Sequence, residues 1–242
     1  MCAPRVYSTS FRSNNLNQPL AKDSGLKTEL SLVQELVDRI IEGVQEGTLV
    51  PGQRLIAGDL AEQFNVSRAP VREAMQVLVG EGVIEFVRNR GARIRKLSVK
   101  ELIDIMEFTE AMLILGVRLA ALEISRADNK AKLEHSFKKL EQAWASKHDA
   151  EFVAGIHHFH NTVNEISGNH FVGFMYKRPH FSFFNKQLAG KLPGAHWDQY
   201  IDSYRRVYET ILSGDQHAAE AAFSNHMQWA IGILKSYLPK AV

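Results

Sequence analysis

Two arginines four residues apart carry the clearest chemical signal in this sequence. Arg68 and Arg72 lie in the run NVSRAPVREAM, residues 65–75, and a helix over that run places both side chains on one face. Each guanidinium group has paired N–H donors that fit a phosphate or the O6 and N7 atoms of guanine. We therefore predict that Arg68 and Arg72 contact duplex DNA. For Arg72, an ion pair within its own helix or a phosphate contact are alternatives to base reading.

A basic turn follows those arginines. Two short runs typical of β-strands, residues 83–87 and 92–95, flank a turn made of Arg88, Asn89, Arg90 and Gly91. No acidic residue interrupts the series from Arg88 to Lys96, so positive charge is concentrated here although the net charge of the chain is only +2. We predict that the turn contacts the minor groove or flanking phosphates. A solvated basic hairpin is the alternative.

Residues 59–64 are predicted to form the helix before the arginines, with a turn at residues 65–67. Ser67 is a suitable N-cap for the next helix, and its hydroxyl is also placed to bind a phosphate. Pro70 stands in the first turn, where proline is tolerated, and we include it among the predicted DNA-contacting residues. Helix, turn, helix and basic hairpin together predict a winged helix-turn-helix.

Composition shifts divide the chain into three parts. Residues 1–26 read as a flexible tail, 27–97 as the winged helix-turn-helix domain, and 98–242 as an all-helical bundle for effector binding and dimerisation. The bundle is predicted to have six or seven helices, in segments 98–126, 128–147, 149–167, 170–190, 196–213 and 215–238. The predicted fold class is therefore mostly α. A capping box from Ser98 to Glu101 opens the bundle, and Asp128, Asp149 and Asp215 are predicted N-caps.

The run NVSRAPVREAMQVLVGEGVIEFVRNRGARI resembles the amino-terminal domain of the GntR family of bacterial transcription regulators. Two further runs, FHNTVNEISGN at 159–169 and ILSGDQHAAEAAFSNHM at 211–227, resemble its FadR-type subgroup, which has a helical FCD-like effector domain. The resemblance implies a DNA-binding homodimer whose operator affinity is set by a small molecule. It also implies that the protein is a repressor, since repression relieved by a metabolite is the commoner behaviour of the family. It also implies an arginine at position 58, where this chain has Gly58.

Many members of the subgroup hold a divalent metal with one aspartate and three histidines. On that pattern His160 and His226 match two ligands, whereas Ile156 and Tyr204 replace the aspartate and the middle histidine. An Arg-and-acid pair of the family is replaced by Thr109 and Leu113. Two imidazoles make a poor Zn²⁺ or Ni²⁺ site, so we predict no metal and no other cofactor.

We predict instead an apolar effector pocket for an organic or fatty acid type metabolite. The predicted pocket residues are Thr109, Leu113, Ile156, His160, Tyr204 and His226. A metal-dependent carboxylate sensor with His160, His226 and His157 is the alternative. Aromatic residues between 171 and 208 are expected to wall the pocket or to belong to the core. The adjacent Lys177 and Arg178 either anchor an acid head group or form a solvated turn.

Other classes of protein find little support in the sequence. A glycine-rich phosphate loop, a nucleophile elbow and an HExxH motif are missing from it, so no enzyme activity is expected. One cysteine and the lack of a long apolar run fit a cytoplasmic protein without a membrane partner. Two half-site readers require a homodimer, for which the apolar first helix, Leu32 to Val44, and the bundle are both candidate contacts.

Overall fold

The computed structural model describes residues 29–88, 91–189 and 196–236. The chain folds into two compact units, and the boundary between them lies between Lys96 and Leu97. The predicted tail, residues 1–26, lies outside the described residues. The first unit contains α1 (Glu29–Glu46), β1 (Arg54–Leu55), α2 (Ala57–Phe64), α3 (Arg68–Gly80), β2 (Ile84–Val87) and β3 (Gly91–Ile94). The strands form one antiparallel sheet in the order β1-β3-β2. The winged helix-turn-helix prediction is thereby confirmed.

The core of the first unit is built mainly by α1 and α3, which pack together. Apolar side chains at helical spacing on α1 are buried there: Val33, Leu36, Val37, Ile40, Ile41 and Val44. They meet the inner face of α3, formed by Val71, Ala74, Met75 and Leu78. The apolar face of α1 is therefore occupied within its own unit.

The turn between α2 and α3 follows the predicted pattern except at its cap. Asn65 ends α2 in the left-handed conformation, with φ of 53°, which asparagine adopts more readily than most residues. Ser67 is the N-cap of α3, as predicted, but its side chain accepts no capping hydrogen bond, so only that part of the prediction is wrong. The Ser67 residue is exposed, which leaves its hydroxyl facing solvent at the start of the helix.

The second unit is all-helical within the residues described. Its helices are α4 (Val99–Glu123), α5 (Asn129–Ala145), α6 (Asp149–Ile166), α7 (His170–Tyr176), α8 (Pro179–Ala189), α9 (Trp197–Ser213) and α10 (Gln216–Lys235). The long α4 packs against α6, α9 and α10 and forms the centre of the bundle. No helix in the described part of the chain is long and apolar enough to cross a membrane.

Some of the helices in the bundle begin at the capping residues that the local sequence predicts, and others do not. Ser98 and Glu101 form the predicted capping box, and Asp215 accepts two backbone N–H bonds at the start of α10. Asp128 makes no capping bond and instead pairs with Lys132 at 3.3 Å. Asp128 is therefore the N-cap of α5 by position only. Asp149 is the first residue of α6 rather than its N-cap, so that prediction is wrong.

One helix was predicted over residues 170–190, but the structure has two, α7 and α8, separated by a turn. The prediction of a single helix is therefore wrong. Lys177 and Arg178 form the turn between them, and Pro179 opens α8. Proline has no N–H to donate to the preceding turn and disfavours helical backbone at the residue before it. The helix is therefore interrupted at this point.

Candidate DNA-binding face and effector cavity

The exposed side of α3 carries the predicted arginines. Arg68 and Arg72 are both exposed, one helical turn apart. Gln76 and Val77 continue the same exposed side, and the Val77 residue is 42 % exposed. Neither residue was predicted as a contact, although Gln76 follows Arg72 by four residues, as Arg72 follows Arg68. Pro70 is buried on the opposite side, so its ring cannot reach a duplex and its prediction as a DNA contact is wrong.

The guanidinium group of Arg68 lies over Gly58 of α2. A Cβ atom built on Gly58 would stand 3.6 Å from Nε and Nη2 of Arg68, at ordinary van der Waals distance. The resemblance implies an arginine at position 58, and a side chain of that size would occupy the space that Arg68 now uses. Glycine at 58 therefore lets Arg68 rest against the start of α2.

The wing places basic groups at the end of the β2–β3 hairpin. Arg88 is exposed and Gly91 has φ of +77°, which suits glycine in this turn. Asn89 and Arg90 lie outside the described residues, so their predicted DNA contacts remain predictions. Arg93 pairs across the strands with Glu85 at 2.8 Å, which lowers the positive charge that the wing can offer.

Arg54 adds a positive charge to the wing that was not predicted from the sequence. Its Nε lies 3.9 Å from a Cβ built on Gly91, because β1 pairs with β3 at that end of the sheet. The Arg54 residue is exposed. Nothing in the local sequence around Arg54 indicates this neighbour, since the pairing joins residues almost forty positions apart.

A cavity of about 90 Å³ lies inside the second unit. It is lined by all six predicted pocket residues, which come from four helices: Thr109 and Leu113 of α4, Ile156 and His160 of α6, Tyr204 of α9 and His226 of α10. Most of the remaining lining residues are apolar or aromatic. The hydroxyl of Thr109 donates to the carbonyl of Ile105 at 2.7 Å and so serves its own helix.

Several aromatic residues of the 171–208 region line the cavity, namely Tyr176, Phe181, Phe184, Trp197, Tyr200 and Tyr204. Phe171 and Phe174 do not, since they are 75 % and 49 % exposed. Tyr208 stacks on Phe137 with ring centroids 4.4 Å apart. The guanidinium of Arg178 lies 5.8 Å from the ring centroid of Phe174, outside the cavity. Of the two predicted roles, the geometry therefore favours Arg178 as part of a turn and not as an anchor for the head group of an acid.

The polar groups of the cavity are joined by hydrogen bonds. Nε2 of His160 lies 2.8 Å from the hydroxyl of Tyr204, and Nδ1 of His157 lies 3.2 Å from the hydroxyl of Tyr176. The ring centroids of Tyr204 and His226 are 4.5 Å apart, and those of Tyr204 and His160 are 5.5 Å apart. The phenol of Tyr204 thus stands between two imidazoles.

The protonated nitrogen of His226 follows from its partner. The hydroxyl of Ser203 donates its one hydrogen to the carbonyl of Tyr200 at 2.7 Å. That hydroxyl lies 2.7 Å from Nδ1 of His226, so it must accept a hydrogen bond from Nδ1–H. In the neutral ring, Nε2 then carries a lone pair that can accept a hydrogen bond from a ligand.

Burial keeps these groups uncharged. It lowers the pKa of His160 to about 3, with smaller effects of His226 and His157, and lowers the pKa of His226 to about 3, with a smaller effect of Arg206. Burial also lowers the pKa of His157 to about 4 and raises that of Tyr204. The cavity therefore offers neutral donors and acceptors near pH 7.

These residues do not fit the metal site that the family resemblance implies. Nε2 of His160 is engaged by a phenol that burial keeps protonated, and Nδ1 of His226 is engaged by Ser203. Ile156 has no donor atom. Among the described residues, no group of three His, Cys, Asp or Glu side chains is arranged to hold an ion, whereas zinc sites use at least three protein ligands.

Comparison with known proteins agrees with this two-unit arrangement. Residues 32–94 match the family described as bacterial regulatory proteins, gntR family. Residues 104–228, more than half of the chain, match the FCD domain. The first match contains α2, α3 and the wing, and the second contains all six predicted pocket residues.

Relatives with similarity over most of their length are transcription regulators. The chain is 24% identical over 200 residues to the "Probable D-xylose utilization operon transcriptional repressor" of Paenarthrobacter nicotinovorans, covering 83% of this chain and 87% of that protein. It is 23% identical over 222 residues to the HTH-type transcriptional regulator McbR of Escherichia coli strain K12, covering 87% and 96%.

A solved structure shares the fold. The crystal structure of a putative transcriptional regulator GntR from Rhodococcus sp. RHA1 has a TM-score of 0.72 at 17% identity, covering 86% of this chain and all of that one. The chain belongs to the GntR family of bacterial regulatory proteins, with a winged helix-turn-helix followed by an FCD domain.

Proposed function

We propose that this chain is a FadR-type, homodimeric transcriptional repressor in the bacterial cytoplasm, released from its operator by a small organic or fatty acid type metabolite. The observation that carries the DNA-binding part is the exposed side of α3, where Arg68 and Arg72 project one turn apart beside a basic wing. The relative from Paenarthrobacter, described as a probable repressor, supports repression as the mode of action.

The cavity supports an effector that is largely apolar and has one polar end. Its walls are mostly aliphatic and aromatic, and its polar groups cluster where His160, Tyr204 and His226 meet. A protonated carboxylic acid can donate a hydrogen bond to Nε2 of His226, and with a neutral imidazole the pair carries no charge inside the apolar cavity. The hydrocarbon part of the ligand would then contact the apolar walls.

The DNA-binding proposal is tested with a duplex selected from a random pool by the wild-type protein. Replacing Arg68 with alanine removes one bidentate donor, so the affinity for that duplex is expected to fall about 10- to 100-fold and discrimination against unselected DNA to weaken. Fluorescence anisotropy at fixed salt measures both. Lys139→Ala removes an exposed positive charge from α5 and serves as the control. Equal losses in both variants, or none in Arg68→Ala, would refute the assignment.

The effector proposal is tested by thermal unfolding of chelator-treated protein. Octanoate and benzoate are suitable first probes, because a ligand that binds the native state raises the midpoint by mass action. The Ile156→Trp variant fills part of the cavity and should lose the increase. Stoichiometric Zn²⁺ or Ni²⁺ in untagged protein purified without chelator, or a midpoint that rises with the acid only after metal is added, would favour the metal-dependent alternative.

A further inference from the structure

The lining of the effector cavity restricts the charge of the ligand that the cavity can hold. None of the lining residues that the structure describes is a lysine, an arginine, an aspartate or a glutamate. Burial shifts the pKa of every titratable lining residue in the direction that favours its neutral form. These residues are His157 and His160 of α6, Tyr176 of α7, Tyr200 and Tyr204 of α9, and His226 of α10.

Two charged groups near this lining lie outside the cavity. Arg206 of α9 contributes to the lowered pKa of His226, but its own side chain is exposed and does not line the cavity. Glu110 of α4 is buried, and its two oxygens accept hydrogen bonds from Ser224 at 2.7 Å and Gln228 at 2.6 Å. An anionic head group in the cavity would therefore lose its hydration without gaining a cation as partner.

Nε2 of His226 is an acceptor that the cavity offers to a ligand. Nδ1–H of the same ring donates to Ser203, which does not line the cavity. Within the described part of the chain, Nε2 makes no hydrogen bond, so its lone pair is left for a ligand. A carboxylate has no hydrogen to donate to this lone pair, whereas an alcohol, a phenol or an undissociated acid has one.

We propose that the cavity binds the polar end of its effector as an uncharged hydroxyl donor. An alcohol or a phenol with an apolar skeleton enters as it is, whereas a carboxylic acid enters only in its undissociated form and takes up one proton from solution. This inference rests on the proposed function and narrows the chemistry of its effector. It is the opposite of what a metal site would select, because a divalent ion binds the carboxylate anion.

The proton that is taken up stays on the acid. Burial raises the pKa of a carboxyl group above its usual value of about 4.3, whereas it lowers the pKa of His226 to about 3, so transfer to the imidazole is unfavourable. In solution at pH 7 only about one carboxylic acid molecule in 500 is undissociated, and this fraction falls about tenfold with each further pH unit. The affinity for an acid should fall in the same proportion, and the affinity for an alcohol should not change.

Isothermal titration calorimetry of the chelator-treated full chain tests the proton uptake. Octanoate is compared with 1-octanol, and benzoate with benzyl alcohol. From pH 6 to pH 8 the Kd of each acid that binds should rise about 100-fold, whereas the Kd of its alcohol should stay within about twofold. Titrations in two buffers of different ionisation enthalpy should show one proton taken up for each acid bound.

Two results of this titration would count against the inference, and they differ in what they leave standing. An acid that binds with the same Kd at pH 6 and pH 8 and takes up no proton is recognised as an anion. That result overturns the inference but not the proposed function. If neither acid and neither alcohol binds at any pH, the inference falls together with the effector part of the proposed function.

The His226→Phe variant tests the acceptor. Phenylalanine keeps a ring of similar size but has no lone pair, so the affinity for benzyl alcohol should fall about 3- to 10-fold. Toluene, which has the same ring without the hydroxyl, should bind within about twofold of the wild type and so reports that the cavity is intact. His217→Phe changes an exposed histidine of the same helix and should alter neither affinity. Benzyl alcohol that binds His226→Phe as tightly as the wild type would overturn the role of Nε2.

Discussion

Tyr204 shows how one residue changes the chemistry of a family site. The resemblance implies a histidine there, but the phenol occupies the space between His160 and His226 and lies within hydrogen-bond distance of the first. Burial keeps the phenol protonated and both imidazoles neutral. Where the resemblance implies a ligand to a metal ion, Tyr204 supplies a neutral hydrogen-bonding group inside an apolar cavity, and Ile156 supplies no donor atom.

The buried histidines predict how stability changes with pH. Folding lowers the pKa of His160 and His226 from about 6.5 to about 3, so between these values the unfolded chain binds more protons than the folded one. The free energy of unfolding should therefore fall as pH falls below 6.5, by up to about 2 kcal/mol per histidine at pH 5.

Urea unfolding at pH 7.5, 6 and 5 checks this expectation. His226→Gln removes one buried imidazole and should flatten the loss of stability on acidification. His217→Gln removes an exposed histidine from the same helix and should leave the pH dependence as it is in the wild type. If His226→Gln and the wild type lose stability equally, the burial of a neutral imidazole is not the cause.

At the scale of elements, the helices and strands that could be predicted are those specified by residues within them or next to them. The helical spacing of apolar residues predicted α1, the turn at residues 65–67 predicted the pair α2 and α3, and the basic turn predicted the β2–β3 hairpin. The capping box at Ser98 and Glu101 marked the start of α4 to the residue. Each of these signals lies within a few positions of the element that it specifies.

Features set by distant residues were missed. The strand β1 has two residues and exists because β3 pairs with it, so local composition could not reveal it. The contact of Arg68 with Gly58 depends on how α2 and α3 pack. The division at Lys177 and Arg178 was accessible to sequence reasoning, because Pro179 stands at the start of α8.

The candidate cavity was reached from the sequence only through family resemblance. Its six predicted residues come from four helices, and no local pattern places Thr109 near Tyr204 or His226. The pairing of His157 with Tyr176 was missed for the same reason, since it requires α7 to fold back on α6. The DNA-binding arginines needed only one helix and could be derived directly.

At the scale of the whole molecule, α8 contacts both the cavity and the residue at which the second unit begins. Phe181, Phe184 and Leu188 of α8 line the cavity. From the same helix, Oε1 of Gln187 accepts the backbone N–H of Leu97 at 2.9 Å. Residues 95–98 connect β3 to α4, so Leu97 lies in the segment of chain that joins the second unit to the wing.

This contact predicts a variant in which effector binding and DNA release are separated. Gln187→Leu keeps the approximate size of the side chain but removes the acceptor for Leu97. Operator affinity without ligand should stay within about threefold of the wild type. In the wild type the effector should weaken operator binding by a factor in the range typical of allosteric coupling, about 5- to 150-fold, and in Gln187→Leu it should have almost no effect on operator binding. Anisotropy with and without the acid that raises the unfolding midpoint measures both quantities, and Gln199→Leu on the exposed side of α9 is the control. If Gln187→Leu still binds the acid and releases DNA as the wild type does, the signal reaches the winged helix by a route other than α8.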